Sequence, residues 1–353
     1  MKDALRKGLR SKDLARLRAD AYGLYDKLTS PEAGMTTLPL VSIVTPVLNR
    51  ASSIRACLAS VSAQTYPNVE HIVVDGGSTD GTIEIVEAFE SSHALRWISE
   101  PDEGMYEAVN KGLRLARGRI LAYVNSDDMY LPWSVDVAAE QLSRGADLVF
   151  GDMGLLTRRS KTFRPMFYRP FDLNYYTHFE AIGQPTVFWS SEVTKGLGDF
   201  DTSYQLIGDC EYWLRAAVAG YSWTHVHEIL AIQVEHPGTL RHTRPDELSA
   251  EFRRLRTTYT AAAGPPAPHE ITLIRQGLQW RLQQIYFGLA SLMTAPTRWP
   301  RFLGFLRQHG IKVNRRKLFW YLLPGRFWPR DLSTVDVELF ERRLTVAMET
   351  RPD

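Results

Sequence analysis

Residues 39 to 151 alternate regularly between short apolar segments and segments with helical spacing, and no other feature of the sequence limits the fold as strongly. The apolar segments are "LVSIVTPV", "VEHIVVDGG", "LRWIS", "RILAYVN" and "ADLVFGD". Between the first two, Ile54, Leu58 and Val61 recur at the intervals of a helix. Buried strands joined by helices of this length are typical of a doubly wound, mostly parallel sheet with right-handed crossovers. The sequence therefore predicts an α/β fold.

Length and cysteine content narrow the class of protein further. The 353 residues are enough for one large domain or two ordinary ones. Cys57 and Cys210 lie far apart, which excludes a disulfide framework and a cysteine-rich zinc site and suits a reducing cytosol. No apolar run reaches the roughly 18 residues of a membrane span, and the charged N-terminus lacks the apolar core of a secretory signal. These features predict a cytoplasmic protein.

Acidic residues follow the ends of the predicted strands. In an open parallel sheet, ligands bind outside the carboxyl ends of the strands, so these acids are predicted to share one rim. A rim of carboxylates needs a cation or hydrogen-bond donors to balance it. Hard oxygen ligands from an Asp pair suit Mg²⁺ or Mn²⁺ bound together with a nucleoside diphosphate. The acids are Asp75, Asp80, Asp102, Asp127 and Asp128, of which the last two are the predicted metal ligands.

Simpler interpretations compete with this site. An Asp pair after a strand also serves as a helix N-cap and a solvated turn, and "SDDMYLPW" fits that pattern. "DGGSTDGT" equally fits turn chemistry, with Thr79 or Asp80 capping the next helix. Neither segment matches G-x-G-x-x-G, which disfavours a dinucleotide-binding oxidoreductase. Asn110 and Lys111, in the third crossover helix, are candidates for reaching a phosphate.

Taken together, "VSIVTPVLNR", "VEHIVVDGGSTDGT", "SEPDEGMYEAVNKGLRLARGRILAYVNSDD" and "ADLVFGD" resemble glycosyltransferase family 2, with the GT-A fold. The resemblance covers roughly residues 39 to 240 and is closest to bacterial members that build exopolysaccharide and lipopolysaccharide. It implies a GT-A domain over 39–244 with a Rossmann-like nucleotide-binding half. A basic helical extension over 1–38 would precede it, and a mainly helical, basic and aromatic region over 245–353 would follow.

The resemblance also implies roles in donor binding. Pro46, Val47 and Asn49 would line the base pocket, and Asp75 would hydrogen-bond the base. Asp127 and Asp128 fall in the family's metal-binding Asp motif for Mn²⁺ or Mg²⁺. Asn125 stands where the first acid is usual, so the ligand set is open by one residue. The remaining donor-binding positions are Gly76, Asp102, Gly104, Lys111, Asn125, Ser126 and His236.

On the acceptor side, "LIGDCEYWLRAA" resembles the segment in which a carboxylate acts as general base. Asp209 matches best and Glu211 is the alternative, although Asp209 also fits an N-cap for a helix starting at Cys210. His236, in "VEHPGTLR", would approach the diphosphate, and it equally fits a structural residue before a Pro-Gly turn. The implied activity is inverting transfer of a hexose, most readily from a UDP-sugar, to a hydroxyl of a glycan or polyprenyl-linked acceptor in surface polysaccharide synthesis.

Two rival functions remain at this stage. A sugar nucleotidylyltransferase also uses a doubly wound sheet and Asp-bound metal. It would carry a Gly-rich, Lys- or Arg-bearing loop after the first strand, where "TPVLNRASS" offers only Arg50. An inactive nucleotide-sugar-binding scaffold is favoured by Asn125 and disfavoured by the otherwise complete acidic set.

Residues 271–330 carry eleven Lys or Arg and no Asp or Glu, interleaved with Trp and Tyr. Basic residues near an anionic leaflet contribute about 1 kcal/mol each, and Trp and Tyr favour the interface. The region therefore predicts a platform for an anionic membrane surface at the inner face of the cell membrane. The alternative is that its apolar helical stripe packs on the catalytic domain. Nucleic acid is not a predicted partner, because no nucleic-acid-binding motif accompanies the charge.

Overall fold

The structure, a computed structural model, describes residues 38–90, 95–157, 162–179, 181–266 and 304. The predicted N-terminal extension (1–38, except residue 38) and the basic region over 271–330 (except residue 304) lie outside the described residues. Among the residues described, no helix is both long and apolar enough to cross a membrane.

Four parallel strands form the first half of the sheet, in the order β3-β2-β1-β4. They are β1 (Val41–Val47), β2 (Val69–Asp75), β3 (Leu95–Ser99) and β4 (Ile120–Tyr123). Most of their residues are buried, which agrees with continuous apolar runs covered on both faces. The chain direction across the sheet reverses between β1 and β4. Their carboxyl ends therefore flank the crevice in which ligands bind to doubly wound sheets.

The second half of the sheet is mixed. Strand β8 (Phe188–Ser190) lies antiparallel between β4 and β6 (Leu148–Thr157), so the predicted fifth strand does not pair with β4 directly. Strand β9 (Trp223–Glu235) runs parallel to β6. Two short strands complete this half, β5 (Met129–Tyr130) against β9 and β7 (Thr162–Met166) against β6. The predicted mostly parallel α/β sheet is confirmed.

The helices follow the predicted alternation in the first half. Ile54, Leu58 and Val61 are buried on one side of the first helix, as their spacing predicts. In chain order the helices are α1 (Ile54–Ser62), α2 (Thr82–Glu90), α3 (Met105–Leu115), α4 (Ser134–Ser143), α5 (Leu173–His178), α6 (Ser191–Leu197), α7 (Gly208–Val218), α8 (Leu240–Thr243) and α9 (Pro245–Ala263), with a 3₁₀ turn at Gln184–Thr186.

Aromatic side chains join α7 to the sheet. Phe200 stacks on Tyr212 with ring centroids 4.0 Å apart, and Trp189 of β8 meets Trp213 at 5.3 Å. Aromatic pairs of this kind stabilise by about 0.5–1.5 kcal/mol beyond their buried area. Helix α9 belongs to the same core, because its Leu255 is buried there. The domain limit at residue 244 stays a prediction, and α9, just beyond it, packs on the domain.

The segment "AAAGPPAPHE", residues 261–270, begins inside α9. That helix ends at Ala263, and Asn174 donates hydrogen bonds from Nδ2 to the carbonyl oxygens of Ala263 (2.8 Å) and Pro265 (2.9 Å). The first residues of the segment are therefore fixed to α5. Residues 267–270 lie outside the described residues.

Candidate active site

The loops that follow β1 and β2 are bound to each other. The Gly76 amide donates to the carbonyl of Val47 at 2.9 Å. Asn49, in the left-handed region at φ 52°, accepts at Oδ1 from the Thr79 amide at 2.9 Å, and its own amide donates to Ser78 Oγ at 2.7 Å. Pro46 and Val47 are buried, whereas Asn49 is exposed. The predicted base-pocket residues thus lie at the end of β1, where Asn49 ties the two loops together.

Asp75 is the last residue of β2 and is fully buried. Its Oδ2 accepts three hydrogen bonds, from the amides of Gly77 (2.9 Å) and Ser78 (2.8 Å) and from Ser99 Oγ (2.7 Å). Its Oδ1 is equally buried and has no hydrogen-bond partner among the described residues. A buried carboxylate oxygen without a donor costs free energy, so this atom is suited to accept a hydrogen bond from a ligand.

Asp102, after β3, lies directly against the loop after β2. A Cβ added to Gly76 would lie 2.6 Å from Asp102 Oδ2, so a side chain at residue 76 would displace this carboxylate. Asp102 Oδ1 accepts from the Gly104 amide at 3.0 Å. Burial raises the pKa of the Asp102 carboxyl above its usual 3.8, although the Gly104 amide and the charge of Lys111 act in the opposite direction.

Lys111 and Asn110 make contacts within the protein. Lys111 Nζ donates to the Pro101 carbonyl at 2.9 Å and lies 3.0 Å from Glu100 Oε1. Asn110 is buried and exchanges two hydrogen bonds with the backbone of Phe200, at 2.9 and 2.8 Å. Asn110 is therefore not available to a phosphate, contrary to the prediction. Lys111 holds the Pro101–Asp102 segment in place.

Asp80 stabilises the turn before α2, which is one of the alternatives that the sequence left open. Its Oδ1 accepts from the Thr82 amide at 3.1 Å, at the residue where α2 begins, and its Oδ2 accepts from the Ala51 amide at 3.0 Å. Hydrogen bonding from Thr82 is the main reason that the pKa of Asp80 falls below its usual 3.8. Both oxygens of this carboxylate are occupied by the loops themselves.

The adjacent acids Asp127 and Asp128 contact different partners. Asp128 is 2% exposed, and its Oδ1 accepts from the Val234 amide of β9 at 2.9 Å. The Asp127 side chain is 19% exposed, and its Oδ2 lies 3.0 Å from His236 Nε2. Strand β5 follows the pair directly and α4 begins only at Ser134, so the helix-cap interpretation of this pair is wrong.

His236 is both a turn residue and the partner of Asp127. Its Nδ1 accepts from the Gly238 amide at 3.1 Å, and its own amide donates to Thr239 Oγ1 at 3.0 Å. Because Nδ1 is an acceptor, the neutral ring carries its proton on Nε2, which donates to Asp127. The structural role in the turn is thus present, and the predicted approach of His236 to the diphosphate stays a prediction.

Asn125 and Ser126 lie between β4 and the Asp pair. Ser126 is buried, and Asn125 donates from Nδ2 to Gln184 Oε1 at 3.3 Å. Asn125 Oδ1 is buried and lacks a hydrogen-bond partner within the part of the chain that the structure describes. An amide oxygen in this state, two residues before the partly exposed Asp127, adds a second hard oxygen at the rim.

Asp209 and Glu211, the two candidate bases on α7, differ in exposure and in their hydrogen-bond partners. The helix begins at Gly208 without a side-chain cap, so Asp209 does not cap it, contrary to the alternative interpretation. Asp209 is partly exposed, and its Oδ1 accepts from Tyr106 Oη at 3.0 Å. Glu211 is buried; it accepts from Arg215 at 3.1 and 3.0 Å and from Tyr259 Oη at 2.7 Å. Glu211 thus ties α7 to α9.

Tyr106 of α3 contacts Asp209 and was not among the predicted site residues. Burial, followed by the charge of Asp209, raises the pKa of Tyr106 well above its usual 10, so the phenol remains a hydrogen-bond donor to Asp209. The same two causes, in the same order, raise the pKa of Tyr123 at the end of β4. Asp209 therefore lies beside the carboxyl end of the parallel sheet.

Contacts continue along that edge, around the crevice, or cleft, that the strand order places between β1 and β4. Asp75 and Asp102 meet at Gly76, and Tyr106 links α3 to Asp209. Gln184 connects the end of β4 to the following loop: its Nε2 donates to the Tyr123 carbonyl at 2.7 Å, and its Oε1 accepts from Asn125. Residues with exposed or unsatisfied oxygens thus follow the carboxyl ends of the strands, and that they share one binding site stays a prediction.

A second group was not anticipated from the sequence. Asp152, His225 and His227 place one potential ligand atom each within 4.8 Å of one another. The sequence signal for this group is the H-x-H spacing in "THVHE", which puts both imidazoles on one face of a strand.

The doubly wound half, with acids at its strand ends, has the fold of GT-A glycosyltransferases. The sequence profile described as Glycosyl transferase family 2 matches residues 42–183. Glycosyltransferase AglE of Haloferax volcanii is 31% identical over 220 residues, which cover 57% of this chain and 69% of AglE. The chain belongs to glycosyltransferase family 2.

Solved structures share the fold at low sequence identity. S. aureus TarS 1-349 in complex with UDP is 16% identical with a TM-score of 0.51, over 88% of this chain and 92% of that one. The mannosyltransferase PcManGT of Pyrobaculum calidifontis, in complex with GDP-Man and Mn²⁺, is 19% identical with a TM-score of 0.51. That comparison covers 96% of this chain and 98% of PcManGT.

Proposed function

We propose that this glycosyltransferase moves a hexose from a UDP-sugar to an acceptor hydroxyl by a single, inverting, metal-assisted displacement. One observation carries the proposal: the cleft contains a fully buried carboxylate, Asp75, whose Oδ1 has no hydrogen-bond donor among the described residues. Such an atom is expected where a ligand donates the missing hydrogen bond. The nucleotide base of the donor is the ligand that fits the carboxyl end of β2.

The number of oxygens available favours uracil over guanine. Asp75 Oδ2 already accepts three hydrogen bonds, so Oδ1 alone remains for the base. Uracil offers one imide N–H, whereas guanine offers two neighbouring donors that would be best matched by two acceptor oxygens. TarS binds UDP and PcManGT binds GDP-Man, so this fold accommodates both bases. The single oxygen supports UDP for this chain.

The residues at the end of β4 fit a hard divalent cation. Asn125 Oδ1 has no partner within the described ranges, and Asp127, two residues later, is partly exposed. Amide and carboxylate oxygens suit Mn²⁺ or Mg²⁺, which complete their shells with phosphate oxygens and water. When bound, the metal neutralises charge that grows on the departing nucleoside diphosphate. We assign Asn125 and Asp127 as its protein ligands.

His236 and Asp128 position the proposed ligands and the turn that carries them. The Nε2–H group of His236 donates a hydrogen bond to Asp127 Oδ2, and this bond fixes the orientation of the carboxylate. Asp128 holds the β4–β5 turn on β9 through the Val234 amide, so it serves the geometry of the site without contacting the donor. The predicted Asp pair is thereby divided into one ligand and one structural residue.

Asp209 is the proposed general base. Its carboxylate takes the proton of the acceptor hydroxyl while that oxygen forms a bond to the anomeric carbon. The bond from that carbon to the diphosphate oxygen breaks on the opposite face, and the configuration inverts. The phenol of Tyr106 holds Asp209 Oδ1 in place. A general base typically contributes about 10²–10⁴-fold in rate.

The acceptor is a glycan or polyprenyl-linked hydroxyl in surface polysaccharide synthesis. A lipid-linked acceptor would suit a basic and aromatic surface over 271–330, which is a prediction from sequence alone. The corresponding place in the cell is the cytoplasmic side of the membrane, at its surface.

Donor hydrolysis without acceptor tests the proposal. A panel of UDP-, GDP- and ADP-sugars is incubated with the full chain, with Mn²⁺, with Mg²⁺ and with chelator, and the released nucleoside diphosphate is measured. We expect UDP-sugars to be hydrolysed fastest and only with metal. Release of pyrophosphate from a nucleoside triphosphate would instead identify a nucleotidylyltransferase. Metal-dependent UDP binding with no hydrolysis or transfer would identify a scaffold.

A further inference from the structure

Strand β9 carries an irregularity opposite the middle of β6. Gly151 pairs with Val226, but the next residue, Asp152, pairs with Ile229, so His227 and Glu228 have no opposing residue on β6. The strands are in close contact here, because a Cβ added to Gly151 would lie 2.6 Å from the Glu228 carbonyl oxygen. Bulges of this kind turn side chains in new directions and are common beside binding sites.

The bulge brings two imidazoles and a carboxylate together. The rings of His225 and His227 have centroids 4.5 Å apart, and His225 Nε2 lies 3.2 Å from Asp152 Oδ1. One potential ligand atom from each of the three residues lies within 4.8 Å of the other two. Side chains around a metal ion converge in this way, whereas surface residues of these types commonly diverge into water.

Asp152 and His225 each carry a buried side-chain atom without a hydrogen-bond partner among the described residues. The side chains of Asp152 and His225 are 1% and 2% exposed. Asp152 Oδ1 accepts from the Tyr168 amide at 3.0 Å, but Asp152 Oδ2 and His225 Nδ1 have no hydrogen-bond partner among the residues described. Buried polar atoms in proteins are nearly always satisfied. One cation that binds a carboxylate oxygen of Asp152 and an imidazole nitrogen of His225 would satisfy both residues.

We propose that Asp152, His225 and His227 bind a Zn²⁺ ion, or a divalent transition metal of similar preference, at the β6–β9 bulge. Imidazole nitrogen and one carboxylate form a ligand set that zinc commonly uses, with water in the fourth position. Mg²⁺ and Ca²⁺ prefer oxygen ligands, so they compete poorly here. The ion would clamp the bulge and hold β6 to β9.

This site is separate from the nucleotide cleft. Asp152 pairs with Ile229, whereas β9 reaches Asp128 through Val234. Five residues of extended strand between these positions span roughly 16 Å. The inference therefore does not rest on the proposed function, and either can fail without the other.

Zinc titration of the full chain tests this site. The protein is stripped with a chelator, saturated with Mg²⁺ to occupy the cleft, and titrated with Zn²⁺ against a chromophoric chelator. We expect about one tightly bound zinc per chain. His225→Gln and His227→Gln should each weaken zinc affinity by about 100-fold or more, because each removes a ligand.

Two further histidine variants serve as matched controls. His242→Gln removes a half-exposed imidazole that pairs with Glu235, and His236→Gln removes the imidazole beside Asp127. Both should keep zinc affinity within about threefold of the unaltered chain, because neither residue belongs to the group. The site is refuted if the unaltered chain binds zinc no more tightly than His227→Gln does, or if His236→Gln abolishes the tight binding.

Folding of the variants is checked separately. The circular dichroism spectrum and Tm of each variant are compared with those of the stripped, unaltered chain, so that loss of affinity is not confused with unfolding. Asp152→Asn, which keeps the size of the side chain, provides a second route if a histidine variant does not fold. Zinc should raise the Tm of the unaltered chain but not that of Asp152→Asn. Equal stabilisation of both would also overturn the assignment.

Discussion

Strand β2 carries a buried carboxylate near each end, and the two carboxylates differ in how many hydrogen-bond donors they have. Glu70, near its start, accepts at Oε1 from the Arg117 amide at 2.7 Å and at Oε2 from the Arg117 guanidinium at 3.0 and 2.8 Å. Arg96 and Ser42 donate to it as well. Asp75, at the end, is just as buried, yet Oδ1 has no donor among the described residues.

The difference suggests a division of roles in which the amino end of the strand serves stability and the carboxyl end serves the proposed binding. At the amino end, donors from β1, β3 and the loop before β4 satisfy both oxygens of Glu70, so this carboxylate stabilises the folded sheet. At the carboxyl end, one oxygen is left unsatisfied, which lowers stability until a ligand binds. In the same way, Glu211 and Asp128 are buried, whereas Asp209 and Asp127 are partly exposed, and we propose the same division of roles for these pairs. Matched variants of the two residues in each pair can therefore test the proposed division of roles.

The largest expected effect is at α7. Asp209→Asn should lower turnover by about 10²–10⁴-fold, because it removes the proposed base while its amide can still pack beside Tyr106. The Kd for UDP-sugar should stay within about threefold of the unaltered value. Steady-state kinetics and calorimetric titration measure the two quantities. Asp209 would be removed from the mechanism by a variant with unchanged turnover.

Glu211→Gln is the control for that experiment. It perturbs the buried contacts with Arg215 and Tyr259, so it should lower the free energy of unfolding by about 1–3 kcal/mol with turnover changed only a few-fold. A loss of turnover as large as that of Asp209→Asn, in a protein that remains folded, would reverse the assignment of the two residues.

The next effect is at the Asp pair. Asp127→Asn should weaken metal-dependent UDP binding by about 10²-fold, since it removes a charged ligand. Asp128→Asn should leave metal stimulation intact and lower the free energy of unfolding by about 1–3 kcal/mol, because it weakens the bond to the Val234 amide. Thermal shifts with UDP, with and without Mn²⁺, distinguish the variants. Loss of metal stimulation only in Asp128→Asn would contradict this division.

A smaller effect is expected at the carboxyl end of β2. Asp75→Asn should weaken UDP binding by about 5- to 150-fold, because the loss of a hydrogen bond to a buried charged group costs about 1–3 kcal/mol. Affinity for a sugar phosphate without a base should be unaffected, which separates the base contact from the diphosphate site. Unchanged UDP affinity in a folded Asp75→Asn protein would place the base elsewhere.

The smallest effect is at the amino end of β2. Burial acts to raise the pKa of Glu70, but hydrogen bonds from Ser42 and Arg117 outweigh it and hold the pKa below the usual 4.5. The stabilisation is therefore complete above about pH 4.5 and is lost as the pH falls through the lower, folded-state value. Glu70→Gln should lower the free energy of unfolding by about 1–2 kcal/mol at pH 7 and leave UDP affinity unchanged.

Denaturant titrations at pH 7 and at about pH 3.5 measure this pH dependence. The difference in stability between Glu70→Gln and the unaltered chain should shrink at the lower pH. A difference that grows on acidification would mean that the carboxylate does not stabilise the fold.

The sequence alone determined the alternation of β1 to β4 with their helices, because burial of each element leaves a periodic pattern in neighbouring residues. It also determined that Asp75 ends a strand and that Asp102 and Asp127 follow strand ends, and parallel topology then places such residues at one edge. Only the tertiary structure decided which partners each carboxylate has. Tyr106 and Asp209 are 103 residues apart, and Asp128 and Val234 are 106 apart. Contacts over such separations leave no local pattern, so they form only when the chain is folded.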